Sequence, residues 1–165
     1  MIRASTLALA LLVGGTAQAA AQDPACEDMT VFMSNEQIIF LGDESEGAQP
    51  GDRRILNWRL HEADGGDLGS FHVVTTVLSD TDDGHLITAV GSLLFSNGEV
   101  HASITTELPD ASSEARSSAD AVVWAISGGT GAFTRASGTV VTGPPEDDAQ
   151  SLDDWVVTIE MECPE

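Results

Sequence analysis

Three features of the chain predict an all-β fold, an antiparallel barrel or sandwich of eight strands. Runs rich in Val, Ile, Thr, Leu and aromatic residues recur along its 165 residues. Tight turn clusters part these runs, and helix-period segments of useful length are absent beyond the first residues. Two cysteines, Cys26 and Cys163, stand near opposite ends of the chain, and in an oxidising compartment an even pair is most simply a disulfide. Such a bridge brings the first and last strands together, as a sheet closed into a barrel does.

The chain begins with a leader. Met1-Ile2-Arg3 supplies a positive charge and Leu7 to Val13 an apolar core. Ala17-Gln18-Ala19 or Ala19-Ala20-Ala21 supplies a small-residue cleavage site. The apolar core is too short for the roughly 20 residues of a membrane-spanning helix. Residues 1–21 therefore read as a signal peptide and residues 22–165 as one domain, secreted or periplasmic, without a membrane anchor.

The strands follow in order. Thr30–Leu41 alternates apolar and polar residues and runs into the acidic loop Gly42–Asp52. Arg53–Glu62 stops at Asp64-Gly65-Gly66, and Leu68–Leu78 at the acidic turn Ser79–Gly84. His85–Phe95 and Glu99–Glu107 flank Ser96-Asn97-Gly98, whose Asn-Gly pair is a strong hairpin signal. A second acidic loop, Pro109–Asp120, precedes Ala121–Ser127. Gly138–Thr142 ends at Gly143-Pro144-Pro145, and Asp154–Cys163 closes the chain. In that last strand Val157, Ile159, Met161 and Cys163 share one face, while Thr158, Glu160 and Glu162 share the wet one. Phe71–Leu78 is apolar on both faces, so its outer side needs cover. A second copy of the chain (a homo-oligomer) is the preferred cover, and a folded-back loop the alternative.

Charge narrows the partners. Asp and Glu number 27 against six Lys and Arg, all arginine, for a formal charge of −21. Nucleic acid and anionic membranes both need basic contacts, which such a surface refuses. The four histidines, His61, His72, His85 and His101, show no zinc spacing. Asp80-Thr81-Asp82-Asp83-Gly84 looks like a calcium loop, but an EF-hand would place glutamate where Gly91 stands, so it reads as an acidic turn. No metal and no cofactor is expected. No spacing singles out a carboxylate pair for hydrolysis.

The glycine-rich stretch "AISGGTGAFTRASG" (Ala125 to Gly138) poses a choice between a phosphate cradle and a backbone corner. A Walker loop requires lysine, and the chain has none. A dinucleotide fingerprint requires a third glycine where Thr134 falls, and a helix after it. The stretch therefore reads as strand Ala121–Ser127 ending in glycines able to take positive φ, with one tight turn through Ala132–Ala136.

Extended to "AISGGTGAFTRASGTV", the same stretch resembles the G-G-T-G-x-[FY]-x-x-A-x-G signature of allene oxide cyclases and dirigent proteins. "PGDRRILNWRL" (Pro50–Leu60), Gly65-Gly66-Asp67-Leu68-Gly69 and "AVGSLLFSNGEV" (Ala89–Val100) are similar to further motifs of that family. The resemblance implies an eight-stranded antiparallel barrel that holds a small apolar molecule in its lumen.

It also implies which residues line that lumen: Leu56, Trp58, Phe71, Val73, Thr75 and Ile87 from the earlier strands. Ala89, Leu93, Phe95, Ala102, Ile104 and Trp124 follow from the later ones. "VFMSNE" (Val31–Glu36) keeps the family's pocket asparagine as Asn35 but has Met33 at its glutamate. The family's second pocket asparagine falls on Trp58, its luminal cysteine on Thr75, and its pocket tyrosine near Thr106. Cyclisation of an allene oxide in the plant manner is therefore not expected. What is expected is binding of a small apolar molecule, with Asn35, Thr75 and Thr106 orienting it for cyclisation, isomerisation or stereoselective coupling. The alternatives are a carrier or interaction barrel without chemistry, and a lumen filled by its own side chains.

Overall fold

The computed structural model describes residues 26–42, 48–82, 84–109, 121–144 and 154–164, so the expected leader lies outside it. The eight strands are β1 (Met29–Leu41), β2 (Arg53–His61), β3 (Asp67–Asp80), β4 (Gly84–Phe95), β5 (Gly98–Pro109), β6 (Val122–Gly131), β7 (Ser137–Gly143) and β8 (Asp154–Glu162). Each pairs antiparallel with the next, and β8 returns to β1 to close the barrel. The closing seam runs from Met29 opposite Ile159 to Ser34 opposite Asp154. The expected disulfide joins Cys26 to Cys163 beside that seam, with Cα atoms 6.1 Å apart. Asp28 reinforces it by accepting a hydrogen bond from the Met161 N–H (3.0 Å).

Alternation decides which side chains turn inward. Leu60, Phe71, Val73, Leu93, Val100 and Ile159 are almost wholly buried inside the barrel. Their outward neighbours are largely polar: Asn57, His72, Ser92 and His101 form one lateral row across β2 to β5. The outer apolar patch expected on β3 is present. Val74 lies opposite Val90 on β4, and Val90 and Leu78 are 59% and 46% exposed.

The two ends of the barrel differ. At one end the strands are joined by short turns, and the bridged termini lie there too. At the other end lie the tips that flank the acidic segments, among them Leu41 and Arg53, Pro109 and Val122, Gly143 and Asp154. Most of those segments fall outside the described residues, but their flanking strand tips share one mouth.

The glycine-rich stretch departs from expectation. Its glycines do not end β6: Gly128, Gly129 and Gly131 continue the strand in register with β5, beyond a bulge at His101 and Ala102. The turn itself is Ala132–Arg135, with Arg135 in the left-handed region (φ 64°). Close approach explains the glycines. A Cβ on Gly131 (φ +60°) would lie 2.1 Å from the Asn97 carbonyl oxygen, and one on Gly129 2.3 Å from the Glu99 carbonyl oxygen. Two hairpins thus touch backbone to backbone, and the turn tucks Phe133 into the barrel. Gly131→Ala should cost about 1–3 kcal/mol, since neither the conformation nor the backbone contact admits a methyl group. A denaturation midpoint equal to that of the unaltered chain would show that the contact is looser than drawn here.

Candidate functional site

Packing divides the lumen in two. In the half nearer the disulfide, Phe133 is fully buried against Phe95, with ring centroids 5.4 Å apart, and Ala136 and Met161 complete the seal. Towards the opposite mouth five inward-facing residues keep contact with solvent: Leu56, Trp58, Thr75, Ile104 and Thr106 are only half-buried, while Val77 and Ile87, set among them, are buried. A side chain on the inner wall of a closed barrel meets water only through the lumen. Among the described residues the barrel is therefore packed at one end and keeps solvent contact along its inner wall towards the other.

Its floor is aromatic. Trp58 packs on Phe71 with centroids 5.6 Å apart, and Phe71 meets the edge of Trp124 at 5.7 Å. The indole N–H of Trp124 donates to the Thr142 hydroxyl (3.2 Å), and both residues are buried. That donor is spent on structure. The Trp58 indole N–H and the Thr75 hydroxyl have no hydrogen-bond partner among the described residues. The Thr106 hydroxyl makes only a long contact with the Glu107 carbonyl oxygen (3.4 Å).

The expected lumen residues therefore separate by depth. Trp58, Thr75 and Thr106 line the open half, together with Leu56 and Ile104. Phe71 and Trp124 form the floor, and Val73, Ile87, Ala89 and Ala102 turn inward and are buried. Leu93 and Phe95 also turn inward, but Leu93 is fully enclosed and Phe95 packs in the sealed half. Asn35 lies in register opposite Trp58, just before a bulge in β1.

Three of the four histidines lie elsewhere, and His85 stands at the rim. On the outer wall, His72 bridges Asn57 Oδ1 (2.6 Å from Nδ1) and Ser70 Oγ (2.8 Å from Nε2). His101 meets Ser92 (3.1 Å), so the two strand histidines flank Ser92 and do not touch each other. A hollow of about 310 Å³ lined by Arg59, His61, Gly65 and Asp67 is likewise outside the barrel. His85 pairs with Asp80 (3.0 Å) beside the acidic turn. Between rim and floor the described inner wall carries no carboxylate, imidazole or thiol; at the rim itself His85, two residues before Ile87, and its register partner Asp80 continue the inward alternation. The wall offers shape, aromatic faces and hydrogen-bond donors.

One inner-wall residue escaped the sequence reading. Arg54 lies in register with Thr75 on one side and Phe40 on the other, at the rim of the open half. Its guanidinium carbon sits 5.1 Å from the Phe40 ring centroid. The signal was available, because Arg54 precedes Leu56 by two and so shares its face. A charge ahead of an apolar run reads more readily as a wet strand end.

Comparison with known proteins gives a likeness of fold. No family model matches the chain, and no curated protein matches it. Among solved structures it is similar to a pyocyanin demethylase, with TM-score 0.62, 20% identity, and coverage of 82% of this chain and 99% of that one. It is similar to AbnU, an exo-specific intermolecular Diels-Alderase, with TM-score 0.56, 10% identity, and coverage of 82% and 98%. The pterocarpan synthase dirigent protein GePTS1 follows with TM-score 0.52, 16% identity, and coverage of 86% and 92%. The chain thus has the closed barrel fold found in cyclase and dirigent proteins.

Proposed function

We propose that this chain is an exported barrel of the dirigent and allene oxide cyclase-like kind. It binds a small apolar molecule in the open half of its lumen and steers that molecule's cyclisation, isomerisation or stereoselective coupling. The observation that carries this reading is the solvent contact kept by inward-facing Leu56, Trp58, Thr75, Ile104 and Thr106 above a sealed aromatic floor. A concave apolar site with a few polar groups suits a lipid-like or polycyclic ligand. The likeness in fold to a Diels-Alderase and a dirigent protein supports the same reading.

Chemistry on such a wall works through shape. The lumen holds a flexible substrate in a conformation close to the reacting one and keeps water from the reactive centre. Ring closure that needs no general acid or base fits these residues better than hydrolysis does. Thr75 and Thr106 orient a carbonyl oxygen, and Asn35 joins them in this proposal.

The test is mass spectrometry of small molecules that co-purify with the protein from its native host. Ile104→Trp, which fills the open half at a cost of about 1–3 kcal/mol, serves as the blocked control. An apolar compound should accompany the unaltered chain and be lost from the variant. Empty extracts, together with failure of the neutral dye N-phenyl-1-naphthylamine to bind, would end the pocket reading. Release of an unchanged compound, with no turnover of it or its precursors, would leave a carrier.

A further inference from the structure

Among the described residues the inward alternation brings to the rim the charge of Arg54 and the His85–Asp80 pair, in which the carboxylate meets the imidazole (3.0 Å) and not the guanidinium. The chain has 27 carboxylates to neutralise its few arginines. None of those in the described residues pairs with Arg54, whose guanidinium rests half-buried on the Phe40 ring. The surroundings repeat the pattern. Thr75, its cross-strand neighbour, has a hydroxyl without a partner among the described residues, and the Trp58 indole N–H, two inward-facing rows further in, likewise has none there. Three donor groups thus stand on one stretch of wall without intramolecular acceptors. Each is a solvent-accessible donor, which can exchange water for a ligand's acceptor.

We propose that Arg54 anchors the anionic oxygen of an amphipathic ligand. That oxygen belongs to a carboxylate, enolate or phenolate at the mouth, while the apolar body lies on the Trp58–Phe71–Trp124 floor. The inference rests on the pocket reading above and adds the ligand's class and its orientation. Stacking on Phe40 covers one face of the guanidinium and leaves its edge, which carries the N–H groups, open to a bidentate acceptor. The acidic surface opposes entry of an anion, but only at long range. Exposed charges are screened over about 10 Å at 0.1 M salt, whereas Arg54 acts in contact, at a half-buried site where Coulomb attraction is stronger. The same arrangement disfavours a ligand with a cationic head at that spot.

Equilibrium dialysis of the full chain against 2-naphthoate and 2-naphthylmethanol tests this, since the two share one apolar body. The unaltered chain should bind naphthoate at least about tenfold tighter than the alcohol, the scale of a charged hydrogen bond. Arg54→Met, which keeps the apolar stem, should abolish that margin by weakening naphthoate alone. Arg54→Lys should keep part of it, and circular dichroism checks that both variants fold. Equal binding of the two probes by the unaltered chain would overturn the proposal, as would full naphthoate affinity in Arg54→Met; either result leaves the pocket in place. Binding of neither probe would sink the pocket reading and this inference with it.

Discussion

Loss of the Cys26–Cys163 bridge is expected to destabilise the barrel by about 5 kcal/mol, the value that the chain-entropy relation returns for so long a loop. The two cysteines are 137 positions apart, so the bridge constrains almost the whole unfolded chain. In the folded barrel it adds little that is new, because β1 already pairs with β8 through Val31 and Val157 and Asp28 already holds the Met161 N–H. The effect therefore lies mainly in the unfolded ensemble. For a domain of this size the loss corresponds to a fall in Tm of roughly 10–20 °C. Thermal melts of the Cys26→Ser/Cys163→Ser double variant, read beside the oxidised chain, measure it. The half of the lumen towards the other mouth should be untouched, since the bridge lies at the sealed end. A fall of only a degree or two would mean that the reduced chain stays nearly as ordered as the bridged one.

Phe133→Ala is the second large effect, expected at about 3–5 kcal/mol, the usual range for removing a fully buried aromatic ring. The turn Ala132–Arg135 folds inward so that this ring plugs the sealed end against Phe95. Backbone closes around it. A Cβ added at Gly129 would lie 2.8 Å from the Phe133 Cβ, and one at Gly98 3.1 Å from its ring. With so little room for the backbone to collapse, the cavity left by alanine should persist. The Trp58–Phe71–Trp124 floor separates this plug from the open half, so affinity for N-phenyl-1-naphthylamine should change less than twofold in folded protein. Urea denaturation and dye titration of the same variant check both halves of the expectation. Loss of dye binding at full foldedness would show that the two halves are not independent.

Alternation made most of this architecture legible. The wet and dry faces of Asp154–Cys163 and the Asn97-Gly98 hairpin each emerge as read, because side-chain period and turn chemistry are local properties. The cysteines supplied the one long-range fact, the meeting of first and last strands. Depth along the barrel axis was not legible. Leu93 and Trp58 both read as inward-facing, and only the inward fold of Phe133 distinguishes the sealed half from the open one. The role of Gly129 and Gly131 was hidden for a similar reason: the nearest neighbour of each is the distant Glu99–Asn97 backbone, to which the local sequence does not point. Arg54 was hidden by its chemistry, since a charged residue at a strand tip is ordinarily solvated.

A vessel with one opening imposes an order of traffic. Because Phe133 stoppers the far end, the molecule proposed to bind here would have to back out through the mouth by which it came before a second could enter. Arrival and departure compete for one passage. On the proposed function, residence time, set by how firmly the rim holds the molecule's head, would bear on throughput as directly as any bond made at the floor.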